Sequence, residues 1–167
     1  SKGKKRVVIA GSHGKTTITA MVMHVLDRTG IDFDFMVGAQ LDGFDVMVKI
    51  SDNAPVMILE GDEYLTSPID PRPKFHLYRP HIALISGIAW DHINVFPTYD
   101  SYVDQFRKFI KLVEPGGLLT YYEGDDELKD IAGTNPEIRT IPYNIPEIVR
   151  RDGITYLVES GKEYPLQ

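Results

Sequence analysis

A seven-residue run, Gly11-Ser12-His13-Gly14-Lys15-Thr16-Thr17, stands directly behind the apolar stretch Val7-Val8-Ile9-Ala10 and directly ahead of a segment with helical patterning. A short β-branched run that ends on glycine reads as a buried strand. The periodicity from Lys15 to Arg28, closed by Gly30, reads as a helix. The chain therefore starts strand, loop, helix. Holding a phosphate chain takes converging backbone N–H groups, a helix N-terminus, a mobile cation and a hydroxyl able to ligate magnesium. Gly11 to Thr17 supplies all four. Gly11 and Gly14 permit close backbone approach, Lys15 would reach the β- and γ-phosphates, and the Thr16 hydroxyl would meet magnesium. The common phosphate loop has a glycine five positions before its second glycine, where this chain has Ile9, so the loop is a shorter variant. The plainer alternative is an ordinary strand-to-helix turn.

The remaining pattern extends the alternation. Phe33 to Val37 reads as a strand, and Phe44, Val46, Val48 and Ile50 alternate with polar neighbours as a half-exposed strand would. Val56-Met57-Ile58-Leu59 is continuously apolar, as is Ile82-Ala83-Leu84-Ile85, the signature of strands covered on both faces. Residues 64 to 80 read as a long irregular connection with at most a turn or two of helix. Apolar positions from Tyr99 to Val113 fall at helical spacing behind a Thr98 cap, and Pro115-Gly116-Gly117 is expected to stop that helix. Gly117 to Tyr122 and Ile138 to Tyr143 read as strands, Asp126 to Ala132 as a short helix. Residues 154–158 and 162–166 flank Ser160-Gly161 as a hairpin. The fold class expected is α/β: a mostly parallel sheet with helices on both faces and a small C-terminal β-hairpin.

In such a sheet, ligands sit beyond the carboxyl ends of the strands. Glu60 and His92 both follow buried strands. Glu60 suits a hard cation that prefers oxygen, or is a solvated strand-end carboxylate; His92 is a less usual ligand, or a histidine bonded to its loop. Asp62, Glu63 and Asp91 crowd the same end, either orienting metal-bound water or simply solvated. His24, His76 and His81 read as structural.

The net charge of −6 argues against a nucleic-acid partner, which would need a basic stripe. The absence of cysteine excludes disulfides and thiolate sites. No apolar run approaches a membrane span and no signal peptide is recognisable, so a cytoplasmic location is expected. With 167 residues, one main domain is expected, and the charged lead into a core strand gives the look of an excised domain.

Gly-Ser-His-Gly-Lys-Thr-Thr at 11–17, Glu60 in Glu-Gly-Asp-Glu, and Asp91-His92 together resemble the muramyl ligase family, over nearly the whole chain. The resemblance implies the P-loop-type central ATP-binding domain of that family, spanning residues 1–167. The N-terminal UDP-sugar domain and the C-terminal domain would then lie outside it, and these residues alone would have little or no ligase activity. It implies ATP and magnesium as cofactors, Gly11 to Thr17 as the nucleotide loop, and Lys15, Glu60 and His92 as the catalytic set. Thr16, Glu60 and His92 would be the metal ligands, one ion through Thr16 and Glu60 and a second through His92 and Glu60. His13 and Glu-Gly-Asp-Glu-Tyr are similar to the branch acting on UDP-N-acetylmuramate. The long Thr66 to Phe75 stretch resembles enzymes that attach a tripeptide rather than L-alanine. The reaction implied is an acyl-phosphate ligation in cell-wall precursor synthesis or recycling. Rivals are a folylpolyglutamate-type ligase and a nucleotide-binding module without catalysis.

Overall fold

The computed structural model describes residues 3–67, 69–90 and 94–166. Its elements run β1 (Lys5–Ala10), α1 (Lys15–Arg28), β2 (Phe33–Met36), β3 (Val48–Lys49), β4 (Val56–Glu60), one turn of 3-10 helix (Lys74–Leu77) and β5 (Ile82–Ile85). They continue with α2 (Tyr99–Lys111), β6 (Leu118–Tyr122), α3 (Asp126–Ala132), β7 (Arg139–Tyr143), β8 (Glu147–Arg151), β9 (Ile154–Glu159) and β10 (Lys162–Leu166). The first seven strands form one sheet in the order β3-β2-β4-β1-β5-β6-β7. Every pairing is parallel except that of β3 with β2.

Period-two alternation in the central strand divides the core between the two faces. Val8 and Ala10 join the cluster built by Phe106, Phe109 and Ile110 of α2 and Leu128 and Ile131 of α3. Ile9 points the other way, to Met23 of α1 and to Phe33, Phe35 and Ile58. A strand packed on both faces has no room for polar residues, which is why β1, β4 and β5 read as unbroken apolar runs. Each such side chain contributes about 1.5–3 kcal/mol on burial.

Thr98 caps α2 as its sequence implies: its side chain accepts from Ser101 N–H, and Ser101 returns the bond to the Thr98 backbone. The helix ends at Lys111, before Pro115-Gly116-Gly117 is reached. The chain has already turned, because Glu114 N–H donates to Pro80 O at 2.8 Å and draws Val113 under the sheet. The expected strand from Phe44 to Ile50 is a second correction. Only Val48 and Lys49 pair with β2, while Phe44 folds back against Phe33 and Phe35, with ring centroids 6.2 and 5.4 Å away. Aromatic packing takes the residue that alternation assigned to a ladder. At the C-terminus the hairpin of β9 and β10 gains β8, giving a three-stranded antiparallel sheet. Asp152-Gly153, at φ 51° and 79°, makes the extra tight turn. Asp-Gly is a standard hairpin signal that the sequence reading passed over.

Asp34, fully buried on β2, is satisfied from several sides. Lys4 donates to its carboxylate, and the Ser51 N–H and O–H donate at 3.0 and 2.8 Å. Burial alone would raise this carboxyl; the bonds from Lys4 and Ser51 outweigh it and hold the group below the usual carboxylate range. A depressed folded value contributes stability that is present above the unfolded value of about 3.9 and lost as pH falls through the folded value. Asp34→Asn, which leaves the Lys4 ammonium without its counter-charge, is expected to cost about 2–4 kcal/mol at pH 7. Denaturant midpoints should show that gap shrinking as the buffer is taken below pH 3.9 by a unit or two. An equal gap at both pH values would contradict the assignment.

Candidate functional site

Parallel register brings three strand ends to one level. Ile9 of β1 pairs with Glu60 of β4, and Ala10 pairs with Ile85 of β5. The chain leaving β1 therefore emerges between the exits of β4 and β5. Backbone bonds pin it on both sides: Gly61 N–H donates to Ile9 O at 2.7 Å, Ser86 N–H to Ala10 O at 3.1 Å, and Ser12 N–H to Gly87 O at 3.1 Å. Ser86 Oγ donates to His13 O at 2.6 Å. Gly11 sits at φ 122° and Gly14 at φ 78°.

Gly14 is also the N-cap of α1, with no side-chain cap and no acidic residue in the first turn. The leading N–H groups of α1 consequently present an uncompensated positive helix end, suited to an anion. Lys15 leans over the loop and donates to Gly11 O at 2.7 Å and to Glu63 at 2.9 and 3.2 Å. Thr16 Oγ1 donates to Glu60 Oε1 at 2.9 Å, and Gly38 N–H holds the other oxygen at 3.1 Å. A hydroxyl and a carboxylate oxygen are thus placed side by side at the mouth of the loop.

The carboxylates expected there take distinct roles. Asp62 pairs with Lys74 at 2.7 Å and accepts from Tyr64 N–H at 2.9 Å. Burial pushes its carboxyl up, but these bonds and the nearby Lys15 charge leave it below the usual range. Glu63 is only 1% exposed, so it is not a solvated loop residue. Tyr78 stands by the same acids; burial, with Asp62 and Glu60, pushes its phenol up, so it stays protonated. A cleft of about 480 Å³ opens among Lys15, Gly38, Glu60, Asp62, Lys74 and Tyr78. A second hollow, about 360 Å³, lies across the loop against Ser12, His13, Gly87, Ala89, Tyr122 and Asp125. A third, about 470 Å³, between α1 and β5–β7 is lined by Ile18, Met21, Val25 and Leu84 and has almost no polar atoms. It offers nothing to hold a phosphate.

Asp91 and His92 lie outside the described residues. Among the described residues no cluster of three or more His, Asp or Glu side chains forms a ready metal cage. His13, on the loop itself, and Thr17, in the first turn of α1, are exposed. His76 and His81 are structural: His76 Nε2 contacts Gln105 O at 2.8 Å, and His81 Nδ1 accepts from Arg6 N–H at 3.1 Å. Burial pushes both imidazoles below their ordinary value. His24 is exposed on α1. Sequence reasoning missed Gly38, Ser86 and Tyr102. Gly38 and Ser86 could have been found by the same strand-end rule; Tyr102 gave no signal, because its spacing is that of a core residue.

A glycine-bearing loop on the central strand, an acid at the neighbouring strand end and this sheet order are the arrangement of a known class. Residues 9–163 match the Mur ligase middle domain, and the chain belongs to that family. It is 31% identical over 124 residues to a UDP-N-acetylmuramate–L-alanyl-gamma-D-glutamyl-meso-2,6-diaminoheptandioate ligase of Haemophilus influenzae, covering 74% of this chain and 27% of that protein. It is 32% identical over 158 residues to a UDP-N-acetylmuramate–L-alanine ligase of Clostridium botulinum, covering 95% and 30%. Among solved structures, the UDP-N-acetylmuramate:L-alanyl-gamma-D-glutamyl-meso-diaminopimelate ligase from Neisseria meningitides superimposes with a TM-score of 0.83 at 25% identity, covering 97% of this chain and 54% of that one. The chain thus spans about 27–30% of the length of these curated relatives. No helix among the described residues is long and apolar enough to cross a membrane.

Proposed function

We propose that this chain is the central ATP-binding domain of a ligase that joins an amino acid or peptide to UDP-N-acetylmuramate. A UDP-sugar domain would precede it and a further domain would follow it in the complete protein. The observation that carries the reading is the Thr16–Glu60 pair, 2.9 Å apart, at the mouth of a glycine loop whose lysine points into the same cleft. An all-oxygen pair fits magnesium, which takes few protein ligands and fills its shell with waters and phosphate oxygens. Thr16 and Glu60 would hold one such ion, and Glu60 with His92 a second. When bound, magnesium supplies charge neutralisation between two anionic reactants.

The residues of the chain do the rest. The first N–H groups of α1 and the loop cradle the β- and γ-phosphates, and Lys15 donates to the transferred group. The substrate carboxylate oxygen attacks the γ-phosphorus as the bond to ADP breaks, giving an acyl phosphate. An amine then attacks the acyl carbon, inorganic phosphate leaves and the amine loses a proton. Phosphoryl transfer of this kind calls for positioning and electrostatic stabilisation rather than a protein nucleophile. The connection after Glu63 carries the ion pairs Arg72–Asp70 and Lys74–Asp62, both at 2.7 Å, and the amine it serves, tripeptide or L-alanine, is decided by the assay.

The complete protein, given ATP, magnesium and UDP-N-acetylmuramate, is expected to release phosphate when the tripeptide or L-alanine is added. Silence with both amines overturns the reading. Glu60→Gln keeps the shape of the site while removing its charge; it is expected to raise the magnesium concentration for half-maximal turnover by about 10- to 100-fold. An unchanged magnesium requirement would remove Glu60 from the metal site.

A further inference from the structure

Tyr102 is fully buried at the start of α2, yet its hydroxyl is turned toward the loop rather than into the apolar core around it. Tyr102 Oη lies 3.0 Å from Ser12 Oγ and makes a long, 3.5 Å contact with Glu63 Oε1. Ser12 Oγ accepts from Ala89 N–H at 2.7 Å. Each hydroxyl carries one proton and two lone pairs, so Ser12 Oγ can accept from Ala89 N–H and still share a hydrogen bond with Tyr102, either of the two being its donor. A series of contacts runs from Ala89 N–H through Ser12 and Tyr102 to Glu63, the carboxylate that grips Lys15.

That series ties together the β5 exit, the loop, α2 and the β4 exit. Its end point is the Lys15 ammonium, held by Gly11 O on one side and by both Glu63 oxygens on the other. A lysine has four rotatable bonds and is otherwise a loosely placed charge. We infer that Glu63, oriented by Tyr102 and Ser12, is the positioning residue that aims Lys15 at the transferred phosphate. The inference rests on the ATP-ligase reading of the site. Glu63 touches neither reacting atom; it acts through Lys15, limiting the arc over which the ammonium can swing. Positioning of this kind affects the transition state more than the bound nucleotide, which several loop amides hold independently.

The test compares Glu63→Gln and Tyr102→Phe with the parent in the complete protein. Loss of one charge-assisted bond corresponds to roughly 10- to 100-fold in rate. Glu63→Gln is therefore expected to lower kcat by that factor, and Tyr102→Phe by about three- to tenfold. Affinity for ATP without acceptor, by calorimetry, should stay within about threefold of the parent, since the loop amides persist. In proton–nitrogen spectra of the lysine ammonium groups, the Lys15 signal should be slow to exchange in the parent and lost in Glu63→Gln. Unchanged kcat, or ATP affinity falling in step with kcat, overturns the inference. If the parent turns over no carboxylate at all, the ligase reading fails separately. The Lys15 signal then decides the placement alone: its persistence in Glu63→Gln refutes the inference.

Discussion

Lys15→Ala in the complete protein is expected to cut turnover by about 100- to 1,000-fold, the loss typical of removing one preorganised donor from a phosphate or oxyanion site. It should also lower stability, which a purely catalytic lysine would not do. Glu63 is 1% exposed and Lys15 16% exposed, so truncation takes the ammonium away from a buried carboxylate. Breaking a fully buried pair costs about 3–5 kcal/mol; with the lysine end open to the cleft, about 2 kcal/mol is the better expectation. The two losses can be separated. Lys15→Ala combined with Glu63→Gln removes the buried charge as well and should recover most of the thermal midpoint while recovering none of the turnover. A double variant as unstable as the single one would show that the pair is not what couples the lysine to the fold.

Gly11→Ala is expected to cost about 3–5 kcal/mol, read from the urea midpoint. Two independent costs meet there. The backbone sits at φ 122°, which residues with a Cβ rarely adopt, and the added carbon would fall 2.3 Å from Ser86 Oγ and 2.8 Å from Ser86 N. Trimming Ser86 removes the first contact but not the second, since the second is backbone. Gly30→Ala is the control: φ is 72° with nothing within 4 Å of the new carbon, so strain alone applies, at about 1–2 kcal/mol. Equal losses at the two positions would mean that the packing of the loop against β5 is unimportant.

What could be read in the chain beforehand follows from where the information lies. The β1–loop–α1 unit was legible because strand period, glycine placement and helix cap all act over a few neighbouring residues. Thr98 and Gly30 announced their helix ends for the same reason. Glu60 was legible because a charge after four apolar residues must emerge at a strand end. The buried state of Glu63 was not, because it depends on Lys15 and Tyr102, 48 and 39 positions away in sequence. Nor was the loss of the 44–50 strand, decided by the pull of Phe33 and Phe35 on Phe44. Burial pattern is local; the choice between two partners for one side chain is tertiary.

The order of strands also sets a timetable. β1, whose Val8, Ile9 and Ala10 are wholly buried, leaves the ribosome before the other strands of its sheet, yet both of its neighbours come later: β4 at 56–60 and β5 at 82–85. At about 5–20 residues per second, the middle of the sheet spends several seconds as an unpaired apolar segment. Of the residues that pack on Ile9, those of α1 and β2 are made before either neighbouring strand. Slowing translation between Gly61 and Ile82 would lengthen that interval, and with it the period in which nascent chains could stick to one another.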